Sequence, residues 1–507
     1  MSVQSFYNLA NLVAVQAEKE RDRIAVATLD ETVTYARLQV LVTNCALHMK
    51  RHGIDRSSCI ALDIEHPLIA VSLILACSLV GCSWLYATQS AQDQTSIRIT
   101  HALHDGVRRY KGGGEIVAVT PNWSVPPPGS SSRRRQAFEG YATPDDTWMI
   151  AQSSGTTGIP KFMAFSEALN WKRTTDMLAR LVPPNAVMVS LFPPLSPPGI
   201  GWMLRVLAAG GTTIFGYFRD FSHRIGVDCV FGSPSQLIGL IDGMPPPKVR
   251  IATAICAGAA TSKPFFTRML QYFDTVRYVY ASSEAAIVSM DVVTDAGAPG
   301  GGAPGGEALG GEALGNHVSV GAPLPGVSLQ IVDADGVCQP VGGEGIVRIG
   351  TERLVPGYIG DPQAMADMFR DGWFYPGDLG FLAASGKLYV TGRANDQLNI
   401  GGVKINPELV DEVLRALPNL KDGACFTAPT ADGVARLAVA LVLVDKQDLP
   451  AAAQAVFAAI RARLGAGRTP GIFYFVNSIP RNPNGKLTRH LLVEAVRDQP
   501  VIHIARS

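Results

Sequence analysis

The stretch Ser153-Ser-Gly-Thr-Thr-Gly-Ile-Pro-Lys161 concentrates small hydroxyl residues and two glycines in nine positions and ends with a lysine. Glycines let a backbone turn sharply and bring its N–H groups close to an anion. The hydroxyl groups add hydrogen-bond donors and Lys161 adds a positive charge, so the stretch suits a polyphosphate. It does not fit the G-x-x-x-x-G-K-[ST] pattern, because its glycines are too close together and Pro160 precedes the lysine. Composition alone leaves a plain turn open as the alternative.

The length and overall composition of the chain limit the classes of protein to which it can belong. A chain of 507 residues is too long for one hydrophobic core, so we expect two or more domains. Apolar residues make up 47% and charged residues 17%, which indicates a well-packed globular protein rather than a disordered chain. A formal charge of +1 gives no excess of positive charge of the kind that binds nucleic acid or an anionic membrane. The short basic run Arg133–Arg135 is most simply a solvated loop.

The cysteines and the N-terminus indicate the compartment. Eight cysteines are scattered without a C-x-x-C pair or a histidine-rich partner, which argues against zinc and against a disulfide framework. The first residues carry acidic side chains and no apolar core, so they do not resemble a signal peptide. We therefore expect a protein of the reducing cytoplasm.

One apolar segment, Leu68–Tyr86, is long enough to suggest a membrane span. Gly81 interrupts it, and it contains three serines. A buried helix followed by a buried strand explains the segment better, after the strand predicted at Cys59–Asp63. We expect no membrane span.

Helical and strand-like segments alternate along the first half of the chain, which predicts α/β layering. The helices predicted there are 8–20, 35–50 and 167–181. The strands predicted there are 24–28, 148–151, 187–191, 212–215, 229–231 and 251–254. Strand 148–151, the glycine-rich turn and helix 167–181 follow one another, and this order favours anion binding at the helix N-terminus.

The full string SSGTTGIPK resembles the phosphate loop of the adenylate-forming superfamily, which includes acyl-CoA synthetases, adenylation domains of peptide synthetases and luciferases. Further stretches match that superfamily in the same order over nearly the whole chain, and most resemble AMP-forming acyl- or aryl-CoA ligases. The resemblance implies a large N-terminal α/β domain with layered sheets and a β subdomain over residues 1–394. It also implies a small, mobile C-terminal α+β domain over residues 395–507.

The activity implied by the resemblance is ATP-dependent conversion of a carboxylic acid to an acyl-adenylate, with Mg²⁺, followed by transfer of the acyl group to CoA. The phosphate loop would then contribute Lys161 as a catalytic cation. The nucleotide-binding residues implied in this loop are Ser153, Ser154, Gly155, Thr156, Thr157 and Gly158.

Two later stretches resemble the motifs around the nucleotide. In Cys256-Ala-Gly-Ala-Ala-Thr261, the small residues Gly258 and Ala259 would flank adenine, although a tight packing turn is the alternative for this stretch. Tyr280-Ala-Ser-Ser-Glu284 resembles the Tyr-Gly-x-Thr-Glu motif. The resemblance assigns Tyr280 to adenine stacking, Ser283 to the α-phosphate and Glu284 to Mg²⁺, the last two as catalytic groups. Stacking suits an aromatic face and Mg²⁺ prefers carboxylate oxygen. Ala281 stands where relatives have glycine, and we expect its methyl group to narrow the acyl pocket toward small, flat or aromatic acids.

The remaining motifs lie nearer the C-terminus. Tyr375-Pro-Gly-Asp378 resembles a Thr-Gly-Asp motif, and Asp378 would accept both ribose hydroxyl protons, although an exposed turn also fits. In the stretch that ends the large domain, Arg393 would contact ribose or phosphate, and Asn395–Asp396 would form the hinge. Gly401 and Gly402 would admit a pantetheine arm. Lys486, in Arg481-Asn-Pro-Asn-Gly-Lys486, would be the catalytic lysine between the substrate carboxylate and the α-phosphate.

Several departures keep other functions open. Ser196 stands where relatives usually have a histidine beside the acyl pocket, and Pro376 replaces a threonine. Besides the CoA ligase, the alternatives are an adenylation enzyme that loads a phosphopantetheinyl carrier protein and a non-catalytic ATP- and acyl-binding paralogue. A luciferase-like oxygenase is a further alternative, but no sequence feature favours oxygen chemistry.

The rest of the chain predicts structure without a site. The glycine-, alanine- and proline-rich insert at 296–316 predicts a mobile surface loop without function. Strand-like stretches 318–332 and 345–349 predict a small β subdomain. In the C-terminal part, we expect strands within 424–444 and at 471–476, with helices at 407–417 and 451–464.

Overall fold

The fold is seen in a computed structural model of the chain. The residues it describes are 8–86, 97–106, 110–128, 138–153, 161–176, 178–216, 226–259, 261, 263–294, 308–309, 312–313, 318–393, 398–400, 403–405, 407–428, 436–445, 448–465, 469–481 and 487–504. The insert at 296–316 lies outside these ranges except for two short paired strands, 308–309 and 312–313.

The described helices are numbered in chain order. They are α1 (Ala10–Lys19), α2 (Tyr35–Arg51), α3 (Pro67–Val80), α4 (Glu167–Thr175), α5 (Leu178–Leu181), α6 (Pro197–Ala208), α7 (Pro234–Ile241), α8 (Lys263–Met269), α9 (Pro362–Met368), α10 (Pro407–Arg415), α11 (Leu449–Leu464) and α12 (Leu492–Ala495). Two 3₁₀ turns add Pro121–Ser124 and Arg489–Leu491. Local capping explains several starts: the hydroxyls of Thr34 and Ser166 accept backbone N–H groups at the beginning of α2 and α4.

Two large sheets form the first part of the fold, as the alternation of segments predicted. The nine strands of the first sheet, in spatial order, are β17 (Ala322–Pro323), β14 (Ala286–Thr294), β13 (Phe273–Ser282), β12 (Ile251–Ala257), β11 (Cys229–Gly232), β9 (Val187–Ser190), β10 (Thr212–Phe215), β1 (Ile24–Ala27) and β2 (Thr32–Thr34). Strands β13 through β1 run parallel, and antiparallel strands close both edges. The carboxyl ends of the parallel strands therefore share one edge, where ligands of open α/β sheets bind.

The second sheet carries the stretch that decides the fold. Its seven strands, in spatial order, are β20 (Tyr358–Ile359), β8 (Lys161–Ser166), β7 (Thr147–Ser153), β4 (Ser83–Tyr86), β3 (Cys59–Asp63), β5 (His101–His104) and β6 (Glu115–Ala118). Ser153 pairs with Lys161 across the β7–β8 hairpin. The expected strand–turn–helix order is therefore wrong, because β8 separates the glycine-rich stretch from α4. The apolar residues of β8 are buried, which favours a strand here. Because this strand occupies Lys161–Ser166, α4 starts only at Glu167.

Smaller sheets complete the fold. A six-stranded antiparallel sheet contains β18 (Val327–Val332), β19 (Gly345–Thr351), β21 (Phe369–Arg370), β22 (Trp373–Phe374), β23 (Asp378–Leu382) and β24 (Leu388–Arg393), which is the expected β subdomain. Strands β15 (Ala308–Leu309) and β16 (Glu312–Ala313) form one hairpin, and β25 (Leu398–Ile400) and β26 (Val403–Ile405) form another. The C-terminal sheet contains β27 (Leu420–Ala428), β28 (Arg436–Leu443), β29 (Ile472–Phe475) and β30 (Val501–His503).

The strand expected at 318–332 is wrong as one element. Gly321 has φ +84°, and a side chain there would meet the Met290 carbonyl oxygen at 2.0 Å. The chain therefore bends where it crosses β14, and Gly326 at φ +75° turns it again before β18. Only glycine adopts both conformations without steric cost.

The apolar segment at Leu68–Tyr86 forms the buried helix and strand that the sequence predicted, α3 and β4. Helix α3 has 14 residues and packs with α1 and α2 in the main hydrophobic core. None of the helices in the described ranges has both the length and the apolar character needed to cross a bilayer.

A buried carboxyl group joins the first helix to the helix after the hairpin. Glu167 is 4% exposed, and its Oε1 accepts a hydrogen bond of 2.9 Å from the backbone N–H of Leu9, at the start of α1. Burial raises the pKa of Glu167 to about 8. The folded state therefore binds a proton that the unfolded state releases at lower pH, and the fold loses stability as pH rises through this interval.

Substituting Glu167→Gln keeps the acceptor and removes the ionisation. The stabilisation of the variant over wild type should grow by about 1.4 kcal/mol for each pH unit between the unfolded and folded pKa values of Glu167, and level off above the folded pKa. Thermal unfolding of both proteins from pH 5 to pH 9 measures this, with exposed Glu18→Gln as the control. A difference between wild type and Glu167→Gln that is independent of pH would contradict the assignment.

Candidate active site

The site forms around the end of β13, at the shared carboxyl edge of the first sheet. Pairing between β13 and β14 shifts between Tyr280 and Ala281, which is a β-bulge, and resumes with Ala281 opposite Ile287. Ser283 and Glu284 lie in the tight turn that follows. Ala281 is exposed, whereas Glu284 is buried. The predicted motif therefore occupies a bulged strand end followed by a turn, which aims neighbouring side chains in different directions.

Three of the predicted nucleotide-binding residues contact one another. The hydroxyl of Tyr280 donates a hydrogen bond to Oδ2 of Asp378, and Nε of Arg393 lies 2.9 Å from Oδ1 of the same carboxylate. Asp378 and Arg393 face each other across β23 and β24, so strand register fixes this ion pair. Asp378 is 4% exposed, which strengthens the ion pair relative to one in water.

This arrangement has consequences for both Tyr280 and Asp378. Burial, and then the negative charge of Asp378, raise the pKa of Tyr280 well above its ordinary value, so its phenol stays a donor at neutral pH. A carboxylate has lone pairs for about four hydrogen bonds, so Asp378 keeps acceptor capacity for two more donors. The expected contact with a ribose diol therefore stays a prediction that is compatible with this geometry.

The predicted adenine-flanking loop begins immediately after β12, which pairs with β13. Gly258 has φ +94°, the left-handed region that favours glycine, and a side chain there would meet no atom within 4 Å. The carbonyl of Ala259 accepts a hydrogen bond of 3.2 Å from the hydroxyl of Tyr278. The backbone conformation, rather than lack of space, accounts for the glycine, and the loop lies beside the strand that carries Tyr280.

A second group of contacts links the predicted cation Lys161 to the predicted metal ligand Glu284. Nζ of Lys161 lies 5.2 Å from the centre of the Tyr358 ring and 3.4 Å from Sδ of Met368. The Tyr358 hydroxyl donates a hydrogen bond of 2.8 Å to Oε1 of Glu284. Burial, and then the charge of Glu284, raise the pKa of Tyr358, so its hydroxyl keeps its proton. Lys161 and Glu284 thus contact opposite parts of one tyrosine.

Sequence reasoning missed Tyr358, Met368 and Arg173. Arg173, on α4, donates to the backbone carbonyls of Ser283 and Glu284. None of these residues belongs to a recognisable local motif, because a contact with a main-chain carbonyl or through an aromatic face imposes no spacing. The Pro-Gly dipeptide before Tyr358 was the one available signal, since Pro-Gly marks a turn and a strand begins directly after it.

Several predicted residues lie outside the described ranges. They are Ser154, Gly155, Thr156, Thr157, Gly158, Asn395, Asp396, Gly401, Gly402 and Lys486. Their flanking residues are described: Ser153 pairs with Lys161, Ile400 with Val403, and Arg481 with Leu487. The roles expected for these residues stay predictions.

Ser196 has a local structural role. Its hydroxyl donates a hydrogen bond of 2.7 Å to the Pro193 carbonyl and accepts one of 3.3 Å from the Gly199 N–H, which caps α6. Its donor proton is therefore already used within the loop. A histidine's function in positioning a carboxylate does not transfer to this position.

A comparison with protein families matches residues 13–359 to the family described as AMP-binding enzyme. A 2-succinylbenzoate–CoA ligase of Bacillus cereus is 22% identical, over 94% of this chain and 96% of its own length. A fatty acid–[acyl-carrier-protein] ligase of Streptomyces coeruleorubidus is 23% identical, over 96% of this chain and 95% of its own.

A solved structure has the same fold. It is the O-succinylbenzoate coenzyme A synthetase of Bacillus subtilis in complex with ATP and magnesium ion, with a TM-score of 0.79 and 20% identity. The match covers 96% of this chain and 99% of that chain. The predicted fold class is confirmed.

Removing one hydroxyl tests the contact between Tyr358 and Glu284. Tyr358→Phe keeps the aromatic face beneath Lys161 but leaves a buried carboxylate oxygen without its donor. We expect a loss of about 1–3 kcal/mol in the free energy of unfolding. Chemical denaturation measures this loss, and Tyr474→Phe in the C-terminal sheet is the matched control. Equal stability of Tyr358→Phe and wild type would show that the hydroxyl does not hold the carboxylate.

Proposed function

The chain belongs to the AMP-binding enzyme family, and on this basis we propose that it is an AMP-forming acid–thiol ligase. It converts a carboxylic acid and ATP to an acyl-adenylate and pyrophosphate, and then transfers the acyl group to the thiol of CoA. One observation carries the proposal. The stretch Tyr280–Glu284 has the Asp378–Arg393 pair at its first residue and the Lys161–Tyr358 group at its last. Groups suited to a nucleoside and to phosphates thus lie at opposite ends of a five-residue stretch.

The reaction requires the enzyme to position the acid and ATP, and it needs no nucleophile from the enzyme. A carboxylate oxygen attacks the α-phosphorus, the bond between that phosphorus and the bridging oxygen breaks, and pyrophosphate leaves. Two anions must approach each other, so preorganised positive charge lowers the barrier. The Lys161 ammonium contacts an aromatic ring and a thioether in the described structure, and neither neutralises its charge. It is therefore suited to phosphate oxygens.

The residues present fit a magnesium ion. Glu284 offers a buried carboxylate with Oε1 fixed by Tyr358, and Mg²⁺ in nucleotide sites is held by one or two carboxylates together with substrate phosphates and waters. The solved structure of the same fold is a complex with ATP and magnesium ion, which supports the binding of both ligands by this chain. When bound, the ion would neutralise charge on the phosphates, and Glu284 would hold it.

Lys486 supplies the last cation in this proposal. The residues that flank its loop, Arg481 and Leu487, form a β-bridge. Arg481 also forms an ion pair of 2.8 Å with Asp422. A mobile domain from residue 395, hinged at Asn395–Asp396, would bring Lys486 to the α-phosphate for the first step. It would then present Gly401 and Gly402 to the thiol for the second, in which sulfur attacks the acyl carbon and AMP leaves.

The identity of the acyl acceptor distinguishes a CoA ligase from an enzyme that loads a carrier protein. The names of the relatives include both a CoA ligase and an acyl-carrier-protein ligase, and we propose CoA. Incubating the enzyme-bound acyl-adenylate with CoA, and separately with a phosphopantetheinylated carrier protein, decides between them. Acyl transfer to the carrier alone would replace CoA as the acceptor.

Lys486→Ala tests the catalytic assignment. Loss of a cation at the reacting phosphate should lower acid-dependent pyrophosphate release about a hundred- to a thousand-fold, while thermal stability stays that of wild type. Lys421→Ala, an exposed lysine of the same region, is the control. Unchanged pyrophosphate release in Lys486→Ala would remove this lysine from the mechanism. Absence of release in the wild type across a broad panel of acids would favour the non-catalytic paralogue.

Ala281→Gly tests the acid class. Ala281 is exposed at the bulged end of β13, beside the proposed acyl group. We propose that its methyl group favours small, flat or aromatic acids. Removal of the methyl should raise kcat/KM for bulkier acids several-fold and leave that for benzoate-like acids nearly unchanged, as measured by pyrophosphate release. A wild-type preference for long-chain fatty acids would refute this specificity.

A further inference from the structure

One guanidinium group contacts the backbone of the turn that carries the proposed metal ligand. Arg173 on α4 donates from Nη1 to the Ser283 carbonyl at 3.0 Å and from Nη2 to the Glu284 carbonyl at 2.7 Å. It also donates from Nε and Nη2 to the Arg353 carbonyl at 2.9 and 2.6 Å. All four hydrogen bonds end on main-chain oxygens, so Arg173 holds backbone rather than pairing with a charge.

These bonds join segments that are far apart in sequence. Ser283 and Glu284 lie in the turn between β13 and β14, and Arg353 lies in the segment that leads to Tyr358. The Val355 N–H also donates to the Glu284 carbonyl, at 2.9 Å. The planar fork of an arginine suits several oxygens at once, which a lysine cannot match. Arg173 therefore sets the position of Glu284 relative to Tyr358.

The turn needs external support. Ala286, which ends it, has φ +60°. A residue with a Cβ atom costs roughly 1–2 kcal/mol in this left-handed region. Such a conformation persists only when surrounding contacts fix it, and it occurs most often at functional sites. The Arg173 hydrogen bonds to the Ser283 and Glu284 carbonyls are contacts of this kind.

Arg173 is partly buried, and removing its guanidinium from water has an electrostatic cost. Burial, and then the nearby positive charge of Arg205, lower the pKa of Arg173 to about 9. Nη2 of Arg205 in turn donates to the Arg173 carbonyl at 2.6 Å, near the C-terminus of α4. A partly desolvated cation beside a second cation is unfavourable unless its donors are used.

We infer that Arg173 is a positioning residue, which holds the turn at Ser283 and Glu284 so that the Glu284 carboxylate meets the metal ion of a metal–ATP complex. This inference rests on the proposed function of Glu284. Arg173 acts through the two carbonyls and touches neither the nucleotide nor the metal. Its loss should weaken the metal-dependent part of nucleotide binding and leave the metal-independent part unchanged.

Calorimetric titration with α,β-methylene-ATP tests the inference, once with Mg²⁺ and once with EDTA. The ratio of the two dissociation constants is the gain in affinity due to the metal. Arg173→Met should reduce this gain about ten-fold, as typical for loss of a group that orients a metal ligand. Arg173→Lys, which keeps the positive charge, should retain more of this gain than Arg173→Met but less than wild type. The control is Arg56→Met, since Arg56 likewise donates to two carbonyls, Glu139 and Gly140, away from the site.

The Glu284→Gln variant separates failure of this inference from failure of the metal assignment. If Glu284→Gln loses the gain while both Arg173 variants keep the wild-type gain, Arg173 is not a positioning residue. If Arg173→Met does not fold, a wild-type gain in Arg173→Lys still overturns the inference. If Glu284→Gln itself keeps the gain, the metal assignment fails and the inference fails with it.

Discussion

The site depends on the turn that follows β13 being held from several sides. The Tyr280 hydroxyl is fixed on Asp378, the carbonyls of Ser283 and Glu284 are fixed by Arg173, and the Glu284 carboxylate is fixed by Tyr358. Each of these partners comes from a different element of the fold. A strained residue, Ala286, ends the turn. Preorganisation of this kind moves the cost of orienting charged groups from the reaction to folding.

The same geometry divides the site into two electrostatic regions. Near Tyr280, the Asp378–Arg393 pair is internally neutral and offers hydrogen-bonding capacity, as a ribose and base require. Near Glu284, the Lys161 ammonium and the carboxylate are kept apart by Tyr358 and Met368 rather than forming an ion pair. Both charges are thus available to ligands of opposite sign, a cation for phosphate and a carboxylate for metal. A direct Lys161–Glu284 salt bridge would have cancelled them.

Part of the fold and part of the site could be predicted from local sequence patterns. The hydroxyl- and glycine-rich stretch at Ser153–Lys161 and the Tyr280–Glu284 motif have residue types that a site requires, and alternation of apolar segments gave the layered α/β fold. Strand β8 was missed because it has only six residues, between Pro160 and α4, and only the capping residue Ser166 separates its apolar residues from the helix. Arg173 was missed because its partners are carbonyls, which every residue type has. Such contacts follow from packing of distant segments and leave no spacing in the sequence.

The central claim is that an acid oxygen attacks the innermost phosphorus of ATP, between the two regions of the site. Isotope transfer tests it most directly, with an acid found active in the pyrophosphate screen and labelled with ¹⁸O in its carboxylate. After transfer of the acyl group to CoA, mass spectrometry should find one labelled oxygen in AMP and none in pyrophosphate. Formation of ADP with the label in inorganic phosphate would place the attack at the terminal phosphorus and contradict the account.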